Sequence, residues 1–312
     1  MDLSTILQQL TYRKVDIRFF IEKNVEISAW PGAVLRNRFL YTAESILCAD
    51  GVSLRQHINT IPLVESHPFY NQFKGGFPKG FFFDCSSVSH SGNKLVLRKD
   101  RIYQFSLILV GSCIDYYPFF LMALERMFAD GIGKPRVSLK LVDCSEVDFN
   151  NFDLTHQSSD EKGELSLIFN TPVALVNATR VGDNGYQNKL NNFPSFYQFI
   201  RSFLYRLLTL EMLYICPDNL SFTPDAIDSA VESYIADSCA AFLTRADLTY
   251  TKIYSTPRVG ANNVYVMSGY LGTLSFDNVS SHYLRLLQSF YPLSVGNDIN
   301  FGLGNFSIKT KQ

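Results

Sequence analysis

Six cysteines in 312 residues form no Cys-x-x-Cys pair. Scattered at positions 48, 85, 113, 144, 216 and 239, they give neither zinc-ligand spacing nor a disulfide framework. They read as reduced thiols, with no metal site and no cofactor implied. No window of eighteen consecutive apolar residues occurs, which argues against a membrane span. The opening Met1-Asp2-Leu3-Ser4 lacks a charged-then-apolar leader, so a cytoplasmic protein is expected. Histidine is also scarce: only residues 57, 67, 90, 156 and 282 offer a side chain that titrates near neutrality. Net charge is small, −1.

Apolar material is plentiful, at 46% hydrophobic and 14% aromatic residues, and the length suggests two domains. The small net charge conceals an asymmetry. Residues 1–140 hold 17 Lys and Arg against 12 Asp and Glu, whereas residues 141–312 hold 11 against 17. A basic half beside an acidic half suits an RNA held by one face, and equally a protein partner of opposite polarity.

Residues 13–21 alternate and read as a strand; Trp30-Pro31-Gly32 is a turn, and residues 33–47 carry helical spacing. Residues 48–92 are irregular, with Pro62, Pro68, Gly75, Gly76 and Pro78, and irregular runs of that length are commonly functional. Strands follow within 94–110, a helix over 117–128 and a strand over 136–142. Between the last two, Gly131 reads as a helix C-cap rather than part of a phosphate-binding loop. The second half repeats this grammar: strand 164–176, helix 196–214, an acidic helical excursion over 224–242, paired strands 246–255 and 263–276, helix 279–291 and strand 306–309. Two βαββαβ-like units imply an α+β protein of tandem ferredoxin-like domains packed side by side. The expected division is 1–150, carrying the insert 48–92, and 160–312, carrying a glycine-rich loop.

That loop is Val295-Gly296-Asn297-Asp298-Ile299-Asn300-Phe301-Gly302-Leu303-Gly304-Asn305-Phe306. Glycine lets backbone approach another chain closely, so Gly296, Gly302 and Gly304 suit contact with a phosphate backbone; a tight helix-to-strand connection is the plainer reading. With Ser268-Gly269-Tyr270-Leu271-Gly272-Thr273-Leu274-Ser275-Phe276 and the intervening helix, the loop resembles the C-terminal domain of CRISPR repeat-RNA-processing endoribonucleases of the RAMP superfamily. Phe169-Asn170-Thr171-Pro172 and Phe203-Leu204-Tyr205-Arg206-Leu207 are similar to the strand and helix opening that domain. Pro31 to Arg36 and Leu121 to Arg136 resemble parts of its N-terminal partner more diffusely. The resemblance implies a protein that binds repeat RNA (pre-crRNA), alongside other CRISPR effector proteins. It further implies metal-independent cleavage by ribose 2′-hydroxyl attack, leaving a 2′,3′-cyclic phosphate.

Such cleavage needs a base, an acid and a positive charge for the phosphorane. His67, Tyr70 and Lys74 gather an imidazole, a phenol and an ammonium within eight residues. They are the catalytic candidates, with His67 as acid or base, Tyr70 positioning and Lys74 stabilising charge; His57 is the substitute. His67 alternatively caps the turn before Pro68. Arg36 and Arg201 are candidate RNA contacts, with a solvated face or a structural ion pair as their other readings. The aromatic runs 69–73 and 81–83 suit either base stacking or core packing. Three functions are consistent with this sequence: an RNA endonuclease, a non-catalytic RAMP subunit that binds guide RNA, and a tandem ferredoxin-like protein-interaction module.

Overall fold

The computed structural model describes residues 3–27, 30–88, 95–133, 136–147, 162–175, 194–254 and 266–311. The first half runs α1 (Leu3–Gln9), β1 (Tyr12–Ile21), β2 (Val25–Ile27), α2 (Pro31–Ala43), α3 (Leu54–Asn59), α4 (Tyr70–Phe73), β3 (Phe81–Asp84), β4 (Leu95–Leu97), β5 (Arg101–Val110), α5 (Tyr117–Asp130) and β6 (Leu139–Val147). The second runs β7 (Lys162–Val173), α6 (Phe196–Tyr214), α7 (Pro224–Tyr234), β8 (Phe242–Tyr254), β9 (Val266–Ser280), α8 (Ser281–Phe290) and β10 (Phe306–Lys311).

Two four-stranded antiparallel sheets result, ordered β3-β5-β1-β6 and β10-β7-β9-β8, with β2 and β4 pairing apart. Setting α1, α3, α4, α7 and the β2–β4 ribbon aside, each half is βαββαβ with its first and third strands central. This is the ferredoxin-like order expected of a tandem α+β protein. Local chemistry explains the elements. In β1, Val15, Ile17, Phe19 and Ile21 are buried on one face while the intervening residues stay partly or fully exposed. Pro31 opens α2, and α6 begins with a capping box in which Ser195 and Gln198 satisfy each other's backbone N–H. Helix α5 stops at Gly131, whose φ of 79° a residue with Cβ adopts at a cost.

Strand β3 lies inside the stretch expected to be irregular. Phe81, Phe82 and Phe83 are all buried, because this strand is covered on both faces and so shows no alternation. Phe81 and Phe83 pack on Phe39 of α2, each at a ring separation of 5.5 Å, and Phe81 also meets Phe120 of α5. They are core rings, not a base-stacking surface.

Phe82 faces the other way, with Ile108 and Val110, and all three are buried. The Arg206 guanidinium of α6 stands over the Phe82 ring, and Tyr12 donates a hydrogen bond to the Ser289 carbonyl of α8. The N-terminal sheet therefore meets helices of the C-terminal half at Phe82 and Tyr12, and one apolar core runs through both. A polar bridge crosses this seam, buried at Asp84 and Asn305. Asn305 Nδ2 donates to Asp84 Oδ2 at 3.0 Å, and Asn170 Nδ2 donates to Asn305 Oδ1 at 2.9 Å.

Candidate nucleic-acid interface and catalytic cluster

His67 stands just before Pro68, and Phe69 N–H donates to its Nδ1 at 3.2 Å. The residue is only 3% exposed, and its Nε2 is buried without a hydrogen-bond partner among the described residues. This speaks against the expectation of a catalytic His67: the ring caps a turn and is shielded from solvent. Tyr70 and Lys74 lie apart from that ring. The exposed lysine sits above the half-buried phenol, with its Nζ 5.2 Å from the ring centroid.

His57 is placed differently. Ser53 caps the N-terminus of α3 by accepting from Gln56 N–H, and His57 lies one residue further along this short helix. Its Nε2 meets the Asp50 carboxylate at 3.0 Å and its Nδ1 meets the Tyr116 hydroxyl at 3.3 Å. Its side chain is 21% exposed. With Asp50 accepting the Nε2 proton, Nδ1 is the acceptor, which fixes the tautomer useful to a base. The Val52 backbone N–H and His57 together hold the Asp50 carboxyl below its usual range, and burial raises Tyr116 above the ordinary phenol value. Neither Asp50 nor Tyr116 carried a sequence signal: they flank His57 only once the 3₁₀ turn Gly111–Tyr116 is folded.

The same turn leads to a cationic seam. Cys113 lies within electrostatic reach of both Tyr116 and Lys79. The Lys79 ammonium sits 3.6 Å from the Phe77 ring centroid, and burial, reinforced by the Arg36 charge, lowers its pKa to about 8. Lys79 N–H donates to Asn300 Oδ1 at 3.4 Å, and the Arg36 guanidinium stacks on Phe301 at 4.9 Å. The first half thus meets the glycine-rich loop of the second through the Arg36 guanidinium and the Lys79 backbone.

The loop itself is packed tightly. Trp30 Nε1 donates to the Phe301 carbonyl at 2.7 Å, and that carbonyl lies where a Cβ on Gly32 would stand. A Cβ on Gly302, whose φ is +76°, would meet the Phe83 carbonyl at 2.7 Å. Gly302 and Gly304 are buried, and Gly304 backs onto the Val295 carbonyl. The expected RNA contact through these two is corrected accordingly: their lack of a side chain serves protein backbone approaching protein backbone. Gly296 is partly exposed and adjoins the exposed Asn297.

Arg201 is engaged elsewhere. Its Nε donates to Glu232 of α7 at 2.7 Å, within a surface network that includes Tyr197, Tyr205 and Asp228. It clamps α7 onto α6, as its structural reading had it. His282 packs against Tyr283 and contacts Ser280, and His90 and His156 lie outside the described residues. Among the described residues, no cluster of three His, Cys, Asp or Glu could hold a metal ion, and no helix is long and apolar enough to cross a membrane.

Residues 10–165, half of the chain, match the family model AF_1859_N, an N-terminal domain. The chain belongs to that family. The AF_1859_N match covers the half that contains His57, Lys79 and Tyr116, where the residue-level likeness was the more diffuse. No curated protein matches the sequence. Among solved structures, a Thermus thermophilus Cas6 product complex is 14% identical with a TM-score of 0.54, covering 96% of this chain and all of that one. A partial Cas6-RT-Cas1–Cas2 complex gives 10% identity and 0.56, covering 96% of this chain but 46% of that longer chain. A RAMP protein described as binding different RNA substrates gives 11% and 0.50, covering 95% and 99%. At these identities the likeness is one of fold: this AF_1859_N family member is built as Cas6 and RAMP proteins are, along nearly its whole length.

Proposed function

We propose that the chain is a CRISPR-type endoribonuclease that lays repeat RNA along the Arg36–Lys79–Asn300 seam and cleaves it beside His57. The observation that carries this is His57, accessible and held between Asp50 and Tyr116, with one short turn linking it to a half-buried lysine. Support for RNA as ligand comes from the shared fold of Cas6 and RAMP proteins, one of which is described as binding RNA substrates.

In this reading the ribose 2′-hydroxyl takes the place of the Tyr116 hydroxyl at His57 Nδ1 and gives up its proton there. The freed 2′-oxygen bonds to phosphorus, and the bond from phosphorus to the 5′-oxygen breaks. Lys79, with its pKa lowered to about 8, is suited both to offset the charge of the phosphorane and to protonate the departing 5′-oxygen. The products are a 2′,3′-cyclic phosphate and a 5′-hydroxyl, with protons and bonds conserved.

A non-catalytic guide-RNA-binding role is the second reading, favoured by His57 having both ring nitrogens engaged within the protein. Incubation with the cognate repeat RNA in EDTA separates the two. Cleavage to a cyclic phosphate is expected; binding without cleavage selects the second reading, and no binding removes both in favour of a protein-interaction module.

A further inference from the structure

Glu211 lies in the interior of α6 and is fully buried, yet among the described residues no arginine, lysine or histidine faces it. Its Oε2 has no hydrogen-bond partner among the described residues. Its Oε1 lies 3.8 Å from Cys216 Sγ, and that sulfur lies 3.7 Å from Oε1 of Gln9, at the end of α1. The Cys216 backbone N–H donates to the Glu211 carbonyl at 3.0 Å, which holds the thiol in place. Three groups thus meet in a row: a carboxyl, a thiol and an amide oxygen. An ionised carboxylate leaves one S–H facing two acceptors. A neutral carboxyl satisfies both contacts.

We propose that Glu211 latches α1 in its protonated form: the carboxyl O–H donates to Cys216 Sγ, the S–H donates to Gln9 Oε1, and ionisation frees the helix. Burial moves the Glu211 carboxyl up to about 7, into the range where that proton is lost near neutrality. Among the described residues, no charge of the surrounding elements acts on Glu211. Helix α1 has no ionisable residue, and Leu3 and Leu7 are its buried anchors. On α7, Asp228 and Glu232 are tied to Tyr205, Tyr197 and Arg201, and Asp225 is exposed. Arg206, on α6 itself, points to Phe82, and Cys113 of the 111–116 turn acts on Lys79, Tyr116 and Tyr214. Among the described residues, only the Cys216 thiol acts on Glu211 besides burial, and its bond to the carboxylate offsets part of the upward shift.

The sign follows from proton binding. With α1 docked the carboxyl holds its proton up to about pH 7; once exposed it releases it near 4.5. Opening of α1 therefore becomes easier as pH rises between these values, by at most about tenfold per unit, and levels off above.

Hydrogen exchange of the α1 amides at pH 5.5 and 8.0, corrected for intrinsic rates, reads this directly. Wild-type protection is expected to fall by about tenfold or more between the two. Glu211→Gln, which carries a permanent donor of the same shape, is expected to stay protected at both. A wild-type protection independent of pH, or an equal loss in Glu211→Gln, overturns the proposal. Cys216→Ala removes the bridging sulfur and is expected to lower α1 protection already at pH 5.5; unchanged protection there also overturns it.

Discussion

Lys79 shows most directly how burial and chemistry meet in one residue. Its ammonium is carried into the seam between Phe77 and the Cys113 turn, with Arg36 as a like-charged neighbour, and its pKa drops to about 8. The folded protein therefore holds this proton less firmly than the unfolded chain. Stability is expected to rise with pH between about 8 and 10.5, where only the unfolded chain binds the proton. RNA affinity is expected to move the other way, weakening as pH passes about 8 and the charge on free Lys79 is lost. Titrating affinity by fluorescence anisotropy from pH 7 to 9.5 checks this, because Lys79→Arg should flatten the profile; an identical slope in the variant would remove Lys79 from the interface. His67 is the opposite case. Imidazole, phenol and ammonium close in sequence suggested a site, but the imidazole turns inward to cap its own turn while the lysine turns out. Sequence proximity in a loop does not tell which side chains share a face.

At the scale of elements, the residue pattern was readable in several strands and helices, most plainly in β1, where one face is buried and the other wet. The alternation of β1, the wide apolar stripe of α6 and the paired strands β8 and β9 stood where the residue pattern put them. Strand β3 was hidden because three consecutive phenylalanines, buried on both faces, have no period to detect. The glycine-rich loop was visible as an element but not in its role. Sequence supplies the reason for glycine, close backbone approach, without naming what approaches. Here Trp30, Gly32 and Phe83 of the first half do so. Gly302→Ala is accordingly expected to destabilise the fold by about 1–3 kcal/mol, from the positive φ and the clash with the Phe83 carbonyl. Denaturant unfolding measures that cost. A variant as stable as wild type would mean that the loop is not the joint described.

For the whole molecule, two ferredoxin-like units share one continuous core, pinned by the Asp84–Asn305–Asn170 bridge, whose Asp84–Asn305 bond is buried. The duplicated element order was legible in the sequence. The seam was not, because Asp84 and Asn305 are 221 positions apart and carry no pattern that links them. A seam so apolar is expected to melt with the rest, so calorimetry should record one cooperative transition; two resolved transitions would show domains that fold independently. The seam buries Gly302 against the Phe83 carbonyl, whereas His57 keeps a partly exposed side chain. The most direct measurement is cleavage of the cognate repeat RNA in EDTA under single-turnover conditions by two variants, His57→Ala and His67→Ala, each with its RNA affinity measured. The expected result is loss of cutting with binding retained for His57→Ala, and near-normal cutting by whatever fraction of His67→Ala is folded. Undiminished cutting by His57→Ala would contradict the account.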